Sequence, residues 1–288
     1  MRLITFERDG ALAAGFIEDE SAVVCAEGPA AETAVRDVIA GGLEALASWR
    51  ARAADAPRAP LAEVALRAPM PSLVRNVWCV GLNYHAHAAE AARTGGFSPE
   101  PPKHPVFFTK ATTALIGPGE TIRASLDPTQ SVDYEGELGV VIGRRCFGLK
   151  PDEAMEAVAG YVLVNDVTSR RLQKRHAQWV IGKSLDTFCP MGPWIATADE
   201  VPDVTALRLR AAVNGEVRQD ACVSDLIFDI PTLVSTLSSY VTLLPGDVIA
   251  TGTPEGVGMG FNPPRWLQPG DVVSVEIAGL GRLENPVG

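Results

Sequence analysis

Two glutamates with one residue between them open an apolar stretch in the middle of the chain. Glu135 and Glu137 lead into residues 138–142, a β-branched run that predicts a buried strand. Because residues i and i+2 of a strand share one face, the two carboxylates are expected to point the same way. Two anions held that close repel each other unless a cation, a shared proton or open solvent relieves them. The pair therefore indicates either a cation site or a solvated strand end.

A third acid follows another apolar run. The strand predicted over residues 161–164 stops at Asn165 and Asp166, where an aspartate serves either as a cap or as a ligand. Three acids at strand ends offer hard oxygen ligands and leave coordination positions open for a chelating substrate, which suits Mg²⁺ or Mn²⁺. Zinc is disfavoured because no Cys/His cluster accompanies the acids. The three acids are Glu135, Glu137 and Asp166.

An imidazole and a carboxylate lie close together where a predicted strand turns into an alanine-rich helix. His87 and Glu90 are three residues apart and are therefore neighbours on one helical face. At that distance a carboxylate orients an imidazole and raises its basicity. The same spacing is common in weak charge pairs on exposed helices. His85 adds a second imidazole that could be mistaken for the base.

Many short apolar runs separated by turns, with few long helical patterns, predict a β-rich α+β protein. Proline-rich stretches at residues 56–60 and 68–71 place a domain boundary near residue 70. We therefore expect a small N-terminal α+β domain over residues 1–70 and a catalytic domain over residues 71–288.

The composition disfavours several classes of protein. The 288 residues are 47% hydrophobic and 21% charged, which is typical of globular proteins and argues against disorder. A formal net charge of −10 offers no broad attraction to nucleic acid or anionic lipid. The five cysteines are scattered and odd in number, as expected for reduced thiols. With no signal-peptide pattern or membrane-length apolar run, we expect a cytoplasmic protein without nucleic-acid or membrane partners.

Five motifs resemble, in order, those of the fumarylacetoacetate hydrolase family. They are Gly81-Leu82-Asn83-Tyr84 with His87 and Glu90, then Glu135-Gly136-Glu137, Asn165-Asp166-Val167-Thr168, Gly182-Lys183-Ser184, and Thr251-Gly252-Thr253-Pro254-Glu255-Gly256-Val257-Gly258. The similarity spans residues 73–288. It implies a mixed β-sandwich roll for the large domain, a Mg²⁺ or Mn²⁺ site and a homodimer.

The resemblance also implies roles for individual residues. The implied metal ligands are Glu135, Glu137 and Asp166. Lys183 takes the place of the basic residue that contacts the substrate, and His87 and Glu90 take the places of a water-activating dyad.

Three further residues lie at positions where the family contacts its substrate. Arg170 and Gln173 fall where a substrate carboxylate or carbonyl is bound, and Thr253 falls in the loop that closes over the substrate. The Gly/Pro-rich segment over residues 92–103 follows the dyad helix and is either a lid or an ordinary surface loop.

The resemblance implies chemistry on 2-oxo acids, and the first prediction is hydrolysis of a C–C bond in an acylpyruvate-like or fumarylpyruvate-like 2,4-dioxo acid. A metal would stabilise the enolate that is released, while His87 and Glu90 activate water and Lys183 stabilises the oxyanion. The nearest alternative is decarboxylation or keto–enol isomerisation of a 2-oxo diacid such as oxaloacetate or a muconate derivative. A third alternative, of another class, is a catalytically silent metal-binding scaffold.

Overall fold

The structure, a computed structural model, describes residues 1–95, 98 and 100–288. The strands in these ranges are β1 (Arg2–Arg8), β2 (Ala11–Glu18), β3 (Ser21–Glu27), β4 (Arg58–Pro60), β5 (Ala65–Leu66), β6 (Val77–Gly81), β7 (Val106–Lys110), β8 (Leu115–Ile116), β9 (Val132–Asp133), β10 (Gly136–Ile142), β11 (Val158–Asn165), β12 (Thr168–Ser169), β13 (Cys189–Thr197), β14 (Arg208–Val213), β15 (Glu216–Cys222), β16 (Val248–Ala250), β17 (Val272–Ile277) and β18 (Gly281–Pro286). The helices are α1 (Ala31–Ala40), α2 (Gly42–Arg52), α3 (His85–Gly95), α4 (Pro151–Ala154), α5 (Arg170–Arg175), α6 (Val180–Lys183) and α7 (Ile230–Ser238). None of the helices within the described ranges is long and apolar enough to cross a membrane.

One large sheet runs through both halves of the chain. Its strands follow the order β4-β3-β2-β1-β13-β11-β10-β16-β6-β7, and β1 joins the N-terminal strands to β13 by antiparallel pairing. Most neighbours are antiparallel, but β16 and β6 are parallel. The sheet therefore contains strands from both sides of residue 70. The division into domains 1–70 and 71–288 stays a prediction.

A smaller sheet packs on the large one to form a sandwich. Its order is β15-β14-β17-β18. Between the sheets, Leu138 and Leu163 from the large sheet join one apolar core with Leu209, Val275 and Leu283 from the small sheet. All five are at most 1% exposed. The protein is therefore α+β and rich in sheet, as the sequence predicts.

Strand β11 is buried on both of its faces. Leu163 faces the small sheet, whereas Val162 and Val164 pack on the opposite side in a core that also contains Val35 and Ile39 of α1. Successive side chains of a strand point to opposite faces, so two buried faces produce the unbroken apolar run seen in the sequence. This burial fixes the end of the strand, where Asn165 and Asp166 lie.

The start of β10 lies beside the end of β11. Gly136 pairs with Asn165 in the antiparallel ladder, and the Asp166 amide donates to the Glu135 carbonyl over 2.8 Å. The strand begins at Gly136, so Glu135 precedes it rather than lying within it as predicted. A Cβ on Gly136 would lie 3.1 Å from the Ala211 Cβ of the small sheet. Close sheet packing therefore explains the glycine between the two glutamates.

Replacing Leu209 with alanine should lower the free energy of unfolding by about 2–5 kcal/mol, because it opens a cavity between the sheets. Urea denaturation followed by circular dichroism measures the change. Leu43→Ala is the control, because Leu43 is 88% exposed, and it should shift the same quantity by no more than about 0.5 kcal/mol. Equal effects of the two substitutions would contradict the sandwich core.

Candidate active site

The three acids predicted from the strand ends form one buried cluster. Glu135, Glu137 and Asp166 each offer a carboxylate oxygen, and these oxygens lie within 4.8 Å of one another. Each residue is at most 4% exposed, which excludes the solvated strand end. The antiparallel ladder of β10 and β11 brings these acids together across about thirty residues of intervening chain.

The donor set fits a hard divalent cation. Carboxylate oxygens are the ligands that Mg²⁺ and Mn²⁺ prefer, and both ions accept water or substrate at remaining positions. Glu137 makes no salt bridge among the described residues, and its Oε2 accepts only the Gly252 amide, at 2.8 Å. Burial, with Asp166 and Glu135 close by, raises the pKa of Glu137 well above its usual value. A cation at this point would relieve that repulsion.

Two cations already compensate Glu135. Lys183 Nζ lies 2.6 Å from Glu135 Oε2 and 2.7 Å from an oxygen of Asp166, and Arg170 Nη1 lies 2.5 Å from Glu135 Oε1. Burial alone would raise the pKa of Glu135, but Arg170 and Lys183 hold it well below its usual value. The predicted substrate-contacting cations therefore lie directly beside the acid cluster.

A second buried lysine, which the sequence analysis missed, holds Asp166 from the other side. Lys110 Nζ donates to Asp166 Oδ1 over 2.6 Å and to the Val167 carbonyl over 2.9 Å, and it also donates to the Lys183 carbonyl. Lys110 is fully buried. The available signal was a lysine at the end of the otherwise uncharged strand β7.

Asp133 is another functional residue that the sequence analysis missed. Its Oδ2 accepts Arg170 Nε at 2.8 Å and the Met259 amide at 3.0 Å, and its Oδ1 accepts the Gly258 amide at 2.6 Å. Asp133 thus links the guanidinium of Arg170 to the loop that contains Gly258 and Met259. The available signal was a third acid two residues before Glu135.

His87 and Glu90 form a buried pair on α3. His87 Nδ1 lies 3.3 Å from Glu90 Oε2, and Glu90 Oε1 accepts the Gly256 amide at 3.0 Å. Both residues are 5% exposed, so this is not a surface charge pair. His85, by contrast, is exposed. The structure therefore pairs His87, the histidine that the sequence analysis chose, with Glu90 and leaves His85 at the surface.

One small pocket, with a cavity volume of about 20 Å³, lies between the acids and the dyad. Its polar lining includes His87, Glu135, Glu137, Arg170, Gln173, Lys183 and Thr253. Phe108 and Met259 add apolar wall. Glu90 and Asp166 contact lining residues from behind rather than facing the pocket. The structure thus gathers the predicted site residues in and around one cavity.

Thr253 is held by a buried amide. Its Oγ1 donates to the Gly136 carbonyl over 3.0 Å and accepts Gln219 Nε2 at 2.8 Å, while Gln219 Oε1 accepts the Gly136 amide at 2.9 Å. Gln219, on the small sheet, had no recognisable signal in the sequence. The predicted lid over residues 92–103 lies partly outside the described residues and stays a prediction.

The comparison with protein families settles the relationship. The model described as fumarylacetoacetate (FAA) hydrolase C-terminal matches residues 76–288. The chain belongs to the fumarylacetoacetate hydrolase family. This confirms the resemblance seen in the motifs, whereas the homodimer that it implied stays a prediction.

Relatives in this family carry names of different enzymes. The chain is 46% identical over 228 residues to oxaloacetate tautomerase YisK of Bacillus subtilis (79% of this chain, 74% of that protein). It is 40% identical to the structure of a fumarylacetoacetate hydrolase from Exiguobacterium antarcticum, with a TM-score of 0.84 and coverage of 100% and 99%. Maleylpyruvate hydrolase from Sphingobium sp. SYK-6, in complex with manganese (II) ion and pyruvate, is 32% identical with a TM-score of 0.79 and coverage of 100% and 98%.

Glu137→Gln should raise the dissociation constant for Mn²⁺ by more than about tenfold, because even the loss of outer-shell partners of a metal costs 10–100-fold. Titration of chelator-treated protein with Mn²⁺, followed by electron paramagnetic resonance of the free ion, measures it. Glu276→Gln removes the same charge from an exposed position on β17 and should leave the constant unchanged. An unaltered constant in the Glu137 variant would exclude it as a ligand.

Lys110→Met should lower the free energy of unfolding by about 3–5 kcal/mol, because it breaks a buried ion pair and leaves Oδ1 of Asp166 without its cation, with only Lys183 left to compensate this carboxylate. Urea denaturation of the metal-free protein gives the value. Lys103→Met, at an exposed lysine, is the control and should change it little. If both variants were equally stable, the described role of Lys110 would be wrong.

Proposed function

We propose that this protein catalyses metal-dependent keto–enol isomerisation of a 2-oxo diacid of the oxaloacetate class. The observation that carries the proposal is the buried His87–Glu90 pair, whose imidazole lines the same pocket as the acid cluster. The 46% identity to a protein named oxaloacetate tautomerase supports it. These findings favour the isomerase alternative over the hydrolysis that the sequence analysis ranked first.

The acid cluster would hold the divalent cation through Glu135, Glu137 and Asp166. When bound, such a cation supplies Lewis acidity toward the keto oxygen of a chelating 2-oxo acid and so favours its enolate. Whether the ion is Mg²⁺ or Mn²⁺ is left open by oxygen ligands alone.

Arg170 provides a hydrogen-bond donor for the substrate. Its Nε and Nη1 are engaged by Asp133 and Glu135, whereas its buried Nη2 has no hydrogen-bond partner among the described residues. An unsatisfied buried donor is costly, and Arg170 lines the pocket. A carboxylate of the substrate would satisfy this nitrogen with a charge-assisted hydrogen bond.

The dyad supplies the proton transfer. An ionised Glu90 only accepts hydrogen bonds, so Nδ1 of His87 carries the proton shared with it and Nε2 is left as the base. Isomerisation would break a C–H bond next to the keto carbon and pass that proton to Nε2, while the C–H electron pair forms the C=C bond and the carbonyl π pair moves onto the oxygen. The protonated Nε2 would then give the proton to that oxygen, which yields the enol and restores the neutral imidazole. No water is consumed and no group leaves, so a buried general base of this kind is sufficient.

Hydrolysis of a 2,4-dioxo acid is the second candidate, because the Sphingobium maleylpyruvate hydrolase shares the whole length of this fold. There, His87 would take a proton from water, whose oxygen would bond to the distal carbonyl carbon. The C–C bond between the distal carbonyl carbon and the CH₂ carbon that separates the two carbonyls would then break. The products would be a carboxylic acid and a pyruvate enolate. The burial of the dyad beside the acids argues against a silent scaffold.

His87→Ala should reduce Mn²⁺-dependent isomerisation of oxaloacetate by about 10²–10⁴-fold, the usual contribution of a general base. The rate is measured as the loss of enol absorbance in the ultraviolet, with products identified by nuclear magnetic resonance. His85→Ala is a matched control on the same helix, and its activity should equal that of the unmodified protein.

The products separate the candidates. Enol and keto forms that interconvert without accumulation of pyruvate support the proposal. Enzyme-dependent release of pyruvate and CO₂ from oxaloacetate would identify a decarboxylase, and pyruvate with a free acid from an acylpyruvate, without isomerisation, would identify a hydrolase. Either result would overturn the proposed reaction.

A further inference from the structure

A second cavity opens directly beyond the pocket of the acid cluster. Its cavity volume is about 430 Å³, and it shares Arg170, Gln173, Trp179 and Met259 with the inner pocket. We call it the outer chamber and define it by the lining residues that the inner pocket lacks, chiefly Arg171, Lys174, His176 and Trp266. The shared residues place the two cavities next to each other, which is the arrangement that a ligand reaching from the acids into the outer chamber requires.

The outer chamber is positively charged within an acidic protein. Its described lining contains arginine, lysine and histidine but no aspartate or glutamate, although the chain carries a formal net charge of −10. A local patch of the opposite sign attracts anions and orients them. The charge therefore favours a ligand whose outer end is negative.

Helix α5 presents these cations in sequence along one face. Arg170, Gln173 and Lys174 are spaced i, i+3 and i+4, which places them side by side on a helix. Arg170 and Gln173 line both cavities, whereas Lys174 lines only the outer chamber. The helix therefore runs from the acid cluster toward the outer chamber. Arg170 lies at the inner end of this stretch and Lys174 at the outer end.

Lys174 is available for a ligand. The side chains of Lys174 and His176 make no hydrogen bond or salt bridge among the described residues, whereas Arg171 Nη1 already donates to the Thr129 carbonyl at 2.7 Å. Trp266 adds an aromatic ring to the lining of the chamber. The apolar part of a ligand contacts such a ring more favourably than it contacts water. An anionic group that follows a short apolar chain matches this arrangement.

We propose that the outer chamber is a subsite for the distal carboxylate of 2-oxo diacids longer than oxaloacetate, with Lys174 as the specificity-determining residue. The inference rests on the proposed function, in which the 2-oxo acid end lies at the acid cluster. Oxaloacetate has a single methylene between its keto carbon and second carboxylate, so both of its ends stay in the inner pocket near Arg170. A longer diacid carries its second carboxylate outward to Lys174.

Binding measurements test the subsite without requiring turnover. The full-length protein, loaded with Mn²⁺, is titrated calorimetrically with 2-oxoadipate and 2-oxopimelate, and with 2-oxohexanoate and 2-oxoheptanoate, which have the same lengths but no distal carboxylate. The diacids should bind about two- to fivefold more tightly than the monoacids, as expected for a charge pair with the exposed Lys174. Added salt should shrink the difference.

Substitution assigns the effect to Lys174. Lys174→Met should remove the preference for the diacids and leave the dissociation constants of the monoacids and of pyruvate unchanged. Arg175→Met removes the same charge from the neighbouring position, which does not line the chamber, and should keep the preference. Diacids that bind no more tightly than monoacids, equal weakening of both classes by Lys174→Met, or an equal effect of Arg175→Met would each overturn the proposal.

The two proposals fail in different ways. Exchange of the hydrogens next to the keto group, followed in deuterium oxide by nuclear magnetic resonance, reports isomerisation of every acid in the set. Binding preference that depends on Lys174 without enzyme-dependent exchange would refute the proposed reaction and leave the subsite supported. Exchange of oxaloacetate without any diacid preference would refute the subsite alone.

Discussion

Carboxylates that are buried together need positive charge, and this requirement shapes the centre of the molecule. Four buried acids, Asp133, Glu135, Glu137 and Asp166, meet three buried cations, Lys110, Arg170 and Lys183. Desolvated charges are tolerated only when they are paired and hydrogen-bonded. The acids outnumber the cations, and Glu137 is the one of these four acids that has no salt bridge to any residue that the structure describes. The remaining negative charge is what a divalent ion would neutralise.

The fold brings positively charged residues from separate parts of the chain to the buried acids. The three cations come from β7, α5 and α6, which are separate in sequence and converge at the end of β11. The ladder between β10 and β11 fixes the backbone of two acids, and the tight contact of Gly136 with the small sheet fixes the position of that ladder. The sandwich core thus sets the spacing of charges that would otherwise repel. Stability and site geometry depend on the same strands.

One pocket of this kind supports several reactions, because they share an enolate of a 2-oxo acid. In the proposed function, the acid cluster and the cations act on the shared 2-oxo acid end, and His87 moves a proton to or from carbon or water. We infer that the preferred substrate then depends on the residues around its distal end. This is consistent with relatives of one family that are named as tautomerases, isomerases and hydrolases. In this chain the outer chamber occupies that position.

The sequence by itself determined the groups that are fixed by local geometry. The spacing of Glu135 and Glu137, the aspartate that ends an apolar strand, and the i, i+3 pair of His87 and Glu90 all follow from the periodicity of strands and helices. The β-rich α+β class follows from the short apolar runs, which the sheets then confirmed. These features depend on a few neighbouring residues, so they are readable from the chain alone.

Only the tertiary structure decided which distant groups meet. Lys110 reaches Asp166 across 56 residues, and Gln219 reaches Thr253 across 34, because sheet order and loop paths bring their strands together. The burial that makes His87 part of the pocket and leaves His85 exposed also comes from packing, although the spacing to Glu90 singles out His87 in the sequence. The start of β10 after Glu135 rather than before it depends on the ladder with β11. Contacts of this kind arise from long-range pairing, which no local pattern encodes.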